Sequence, residues 1–82
     1  MDHPAWMVSH YDKRFELLVQ RLRDARHEAN LSQTEVAERI ELTQPLVSRI
    51  EAGQRKIDPI ELAMLCRIYR KPVRYFVPDM PV

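Results

Sequence analysis

Apolar side chains recur along this chain at steps of three and four rather than two. Phe15, Leu18, Leu22, Ala25 and Ala29 fall on one face of a helical wheel and predict an amphipathic helix from Asp12 to about Ala29. Asp12 is placed to cap its start, and Asn30 tolerates the left-handed conformation that ends it. Ser32, with Glu35 three residues on, makes a capping box for a second helix running to about Ile40. Thr43 caps a third, and Pro45 sits in its first turn, where no backbone donor is needed. Val47 and Ile50 give that helix its inward face, and Gly53, the only glycine, falls where it must stop. A fourth helix begins near Pro59 behind Asp58 and buries Leu62, Leu65, Cys66 and Tyr69. Pro72 closes it, and Val73 to Val77 predict a last short turn packed through Tyr75 and Phe76. With no alternating pattern to suggest a strand, the expected fold is all-α, a compact five-helix domain. It spans residues 12–77, between an N-terminal arm (1–11) and a proline-rich tail (78–82) expected to fray.

The second and third helices have a particular relation. Ala37 is small where two helix backbones would approach, and Glu41-Leu42-Thr43 makes a tight corner between them. The outward face of the third helix carries Gln44, Ser48 and Arg49, whose side chains can bond base edges and phosphates. That is the layout of a helix-turn-helix, whose second helix lies in the DNA major groove. Gln44 can bond adenine bidentately, and Arg49 can do the same to guanine N7 and O6. Five residues separate them, about one and a half turns, so both are expected to face the groove.

The run LSQTEVAERIELTQPLVSRIEAGQRKI resembles the DNA-binding domain of the lambda-repressor/Cro-like (XRE-type) family. The resemblance extends upstream through Leu22 to Arg26, and downstream through Asp58 to Leu62 and on to Pro72 to Phe76, covering about two thirds of the chain or more. It implies a lambda-repressor-like fold and assigns base reading to Gln44, Pro45 and Arg49. Pro45 departs from the polar residue often found there and offers only apolar contact, for example to a thymine methyl; Leu46 either adds such a contact or belongs to the core margin. Gln33 matches the position that binds a phosphate and props the first recognition glutamine, at a helix N-terminus suited to an anion. Thr43, Ser48, Arg55 and Lys56 are candidate phosphate contacts, the last two from the loop after the recognition helix. Arg26 and Glu51 match a pair that forms a buried structural salt bridge. Glu41 and Arg70 stand where the family commonly has glycine.

Charge adds less than the motif. The net +1 divides into −2 over residues 1–41 (six Lys/Arg, eight Asp/Glu), +4 over residues 42–76 (seven and three) and −1 from Asp79. Basic charge thus gathers in the half holding the proposed recognition helix, though ordinary surface charge would look similar. Cys66 cannot pair within the chain and, on an apolar face, reads as a small hydrophobe. Scattered His3, His10 and His27 offer no metal-ligand spacing, so no metal or cofactor is expected. Neither a nucleophile–base set nor a phosphate-binding glycine loop is present, which argues against an enzyme. Met1 to Tyr11 contains no long apolar run, so neither a signal peptide nor a membrane span is expected, and the chain suits the cytoplasm, associated with the nucleoid.

An apolar surplus remains. Ile60, Met64 and Ile68 form a second stripe on the fourth helix, and Trp6-Met7-Val8 has no partner in the core scheme. Either the arm covers the stripe, or the stripe, the arm (Trp6) or the Tyr75-Phe76 segment meets another subunit or a partner protein. The leading expectation is a homodimeric, sequence-specific transcriptional regulator, most simply a repressor, on a near-palindromic stretch of double-stranded DNA. The alternative is an antitoxin-like or co-regulator module that binds a partner protein.

Overall fold

Five helices follow one another: α1 Ala5–Glu28, α2 Gln33–Ile40, α3 Gln44–Glu51, α4 Pro59–Tyr69 and α5 Val73–Phe76. The structure is a computed structural model that describes the backbone of residues 5–78 and the side chains of residues 13–78. Among these residues there is no strand, and the fold is all-α. α1 starts at Ala5 rather than at Asp12. Nothing between Ala5 and Tyr11 forces a break, since that segment has neither glycine nor proline. The side chains of Trp6, Met7 and Val8 lie outside the described residues.

The helix starts follow their caps. Ser32 and Glu35 close a reciprocal box on α2, and Asp58 and Glu61 close another on α4. The stops share one geometry. The residues after α1, α2, α3 and α4 that turn left-handed are Asn30 (φ 59°), Glu41 (60°), Gly53 (74°) and Arg70 (57°). After each, an amide bonds back across the last turn: Leu31 to Arg26, Leu42 to Ala37, Gln54 to Arg49 and Lys71 to Cys66, at 2.8–3.2 Å. Glycine therefore serves only one of four turns of the same kind. Glu41 and Arg70 adopt the glycine conformation without being glycine, at a cost on the order of 1 kcal/mol each.

The core is built from Leu22, Ala25, Val36, Ala37, Ile40, Val47, Ile50, Leu65, Tyr69 and Phe76. Val19, which the helical wheel passed over, is buried, whereas Ala29 is exposed in the turn beyond the helix end. α1 packs on both α3 and α5, so it buries more than one narrow stripe. Burial pushes the Tyr69 hydroxyl and the Cys66 thiol above their ordinary pKa, keeping both neutral.

Phe76 does not belong to a partner surface. It is fully buried, in T-shaped contact with Tyr75 at 4.9 Å, and this ring anchors the short α5 in the core. Tyr75 is half-buried, flanked by the Arg21 guanidinium at 4.9 Å and the Lys71 ammonium at 4.8 Å. The α4 stripe is uneven: Met64 and Ile68 are half-buried against the core, while Ile60 is 73% exposed.

Candidate nucleic-acid interface

α2 and α3 pack on each other more extensively than any other pair of helices, through Val36, Ala37, Ile40, Val47 and Ile50. Ala37 carries the close approach, and its carbonyl accepts the Leu42 amide that sets the corner. The left-handed Glu41 then redirects the chain into Thr43 and α3.

Val47, Ile50 and Glu51 are the buried side chains of α3. Stepping 100° per residue from them places Pro45 and Arg49 on the opposite, outward face, with Ser48 beside them. Pro45 and Arg49 are exposed and Ser48 is half-buried. Gln44 is exposed too, but it lies on the flank, roughly 140° around the helix from Arg49. The two do not share one narrow stripe. Gln44 reaches outward from the first turn, beside α2.

Gln44 is also the end of a chain of polar contacts that starts in the interior. Arg26 on α1 grips Glu51 with two bonds, Nε to Oε2 at 2.7 Å and Nη2 to Oε1 at 3.0 Å. Glu51 is 4% exposed, and the hydrogen bond to it is what chiefly raises the Arg26 pKa. Gln33 Nε2 donates to Glu51 Oε1 at 3.0 Å, and Gln33 Oε1 accepts from Gln44 Nε2 at 2.7 Å. Arg26 also donates to the Leu31 carbonyl, and Arg23 to the Glu51 carbonyl. Among the described residues no buried side-chain polar atom lacks a partner.

This chain has a direction. The Gln33 amide turns its NH₂ to Glu51 and its oxygen to Gln44. Gln44 therefore spends one N–H on Gln33, which leaves a second N–H and the oxygen of this exposed side chain available. That donor–acceptor pair matches the N7 and N6 edge of adenine.

The remaining candidates are placed differently. Thr43 occupies the N-cap of α3 with extended geometry (φ −97°, ψ 157°), yet its hydroxyl makes no cap bond. Pro45 removes one of the two amides it would use, and the other, of Leu46, bonds the Thr43 carbonyl at 3.0 Å. Arg55 and Lys56 lie in the loop between α3 and α4. Arg55 is held by a two-point bridge to Glu61 at 2.9 and 3.0 Å, which lowers the Glu61 pKa and raises that of Arg55. Lys56 is exposed.

Sequence reasoning missed two residues here, Arg23 and Glu61, and, though it named Gln33 as the prop of Gln44, it did not foresee the Gln33 bond to Glu51. Glu61 was legible as half of an Asp58-x-x-Glu61 capping box; its grip on Arg55 depends on how the loop folds back. Among the described residues no helix is long and apolar enough to cross a membrane.

A family model described as a helix-turn-helix domain matches residues 17–73, from within α1 to the first residue of α5. No curated protein and no solved structure gives a significant match.

Proposed function

Because this chain belongs to the helix-turn-helix domain family, a DNA-binding family, we propose that it is a sequence-specific transcriptional regulator, acting as a repressor on a near-palindromic operator. α3 enters the major groove with Gln44 reading adenine, Arg49 reading guanine and Pro45 touching a thymine methyl. Gln33, Thr43 and Ser48 contact phosphates beside it, and Arg55 and Lys56 do so from the following loop. The observation that carries the reading is the directed contact Glu51–Gln33–Gln44. It fixes in advance which edge of Gln44 is offered outward, and preorganisation of a side chain spares entropy on binding.

One such helix reads few base pairs, so the chain binds as a homodimer to half-sites about one helical turn, ~34 Å, apart. Exposed Ile60 on α4 supports a subunit contact. Selection of bound sequences from a random duplex pool, then titration of the winner against shuffled DNA, tests the proposal. A near-palindromic winner preferred by ~10³-fold or more is expected. A flat outcome would transfer the proposal to the second reading, an antitoxin-like or co-regulator module, for which the same exposed apolar residue on α4 speaks.

A further inference from the structure

The positive charge of residues 42–76 is not all gathered at the recognition helix. Arg49 lies on α3 and Arg55 and Lys56 in the loop after it, but Arg67, Arg70 and Lys71 lie at the opposite end of α4 from that loop. An eleven-residue helix separates the two groups by about 15 Å. At that far end the C-termini of α1, α2 and α4 converge on an open groove of about 500 Å³, floored by Ala25, Leu31 and Ile68 and rimmed by Arg39, Arg70, Lys71 and the Glu28 carboxylate that Lys71 holds. A second hollow of about 290 Å³, lined by Arg39, Met64, Arg67 and Ile68, shares Arg39 and Ile68 with it. Taken together as one trough, their lining mixes apolar side chains with four cations and the Glu28 carboxylate.

Cations at helix C-termini commonly answer the partial negative charge of open carbonyls. Here the carbonyls of Arg26, Ala37 and Cys66 are already bonded by Leu31, Leu42 and Lys71, so part of that demand is met by the backbone. Lys71 has a carboxylate partner, Glu28, at 3.1 Å. Among the described residues Arg39, Arg67 and Arg70 close no salt bridge, and all three are exposed. Arg70 moreover holds a left-handed backbone that glycine would adopt with less strain, so the chain retains a guanidinium at this rim against a local cost.

We propose that this trough is a docking surface for an acidic segment of a partner protein that seats an aliphatic side chain over Leu31 and Ile68 and sets carboxylates against Arg39, Arg67 and Arg70. The apolar floor favours a protein segment over a phosphodiester backbone, which has nothing aliphatic to place there. Complementary charge at the rim would steer the encounter and fix its register. The site is separate from the proposed recognition face, so it stands or falls independently of operator binding.

The test uses the isotope-labelled full chain and a short synthetic helical peptide of glutamates with leucines four residues apart. Amide shifts on titration are expected to map to Leu31, Arg39 and the Arg67–Lys71 turn. The double variant Arg67→Glu, Arg70→Glu should weaken the peptide by about tenfold or more, with thermal melting and DNA binding preserved. The milder pair Arg67→Gln, Arg70→Gln gives an intermediate loss if the charge-reversed protein melts early. A peptide with lysine in place of glutamate should not bind. The proposal is overturned by an absence of shifts at millimolar peptide, by shifts centred on Ile60, or by a short DNA duplex that perturbs the trough more strongly than the peptide.

Discussion

At Glu51 a single carboxylate meets three donors, from Arg26 and Gln33, in a nearly dry site. Removing it leaves the Arg26 charge uncompensated and releases the Gln33 amide. Glu51→Ala should therefore cost about 3–5 kcal/mol in a denaturant titration, a large part of the stability of so small a domain. Unchanged stability with abolished binding would refute the structural role. Gln33→Ala asks a different question, since it frees Gln44 and takes one donor from Glu51 while leaving both Arg26 bonds in place: preference for one base should relax, with a smaller loss of stability than Glu51→Ala causes. Arg49→Ala should cost about 1–3 kcal/mol on the operator and spare shuffled DNA. Equal losses on both would remove Arg49 from base reading.

The helix ends determine what can be tested at the scale of elements. Glu41 sits at φ 60° between α2 and α3, so Glu41→Gly should stabilise by about 1 kcal/mol and raise the melting temperature by roughly 4–8 °C. A fall would mean that the acid does something in that corner beyond bearing strain. The start of α4 carries a pH dependence. The Arg55 guanidinium holds the Glu61 carboxyl below the usual glutamate range, with the Asp58 amide adding to the effect. A carboxyl with a depressed folded pKa contributes stability above its unfolded value and loses it as pH falls through the folded one. Stability should therefore decline as pH falls below about 4.5, and Glu61→Gln should flatten part of that decline. The same bridge draws Arg55 toward α4. Arg55→Ala should weaken all DNA sequences alike and lower the salt slope by about one, whereas a sequence-dependent loss would contradict a phosphate role.

For the whole molecule the open issue is assembly. Five helices close one core around Phe76, which leaves Ile60 as the exposed large apolar side chain of α4 and Val73 as that of α5. Sedimentation at high micromolar concentration should give twice the mass of one chain, and Ile60→Glu should shift it toward the monomer. A monomeric mass at that concentration, with no dimer on DNA, would defeat two-fold operator binding. The same separation of surfaces lets assembly, base reading and acidic-segment docking be perturbed one at a time.

Local chemistry, read directly from the chain, determined where the helices are. Apolar steps of three and four, the Ser32–Glu35 capping box, Pro45 in a first turn and residues able to turn left-handed all act within a few positions, so they are legible without knowing the rest of the fold, though the start of α1 lay seven residues before the expected Asp12. The helix-turn-helix corner is legible for the same reason. The tertiary structure alone decided which apolar residues face inward where helices meet at more than one partner: Val19 goes in and Ile60 stays out, and of the two readings of Phe76 the packed one holds. It also decided what the polar side chains do. Gln33 bonds Glu51 eighteen residues away and Arg55 bonds Glu61, because a hydrogen bond depends on where atoms converge in space, and spacing along the chain does not carry that information.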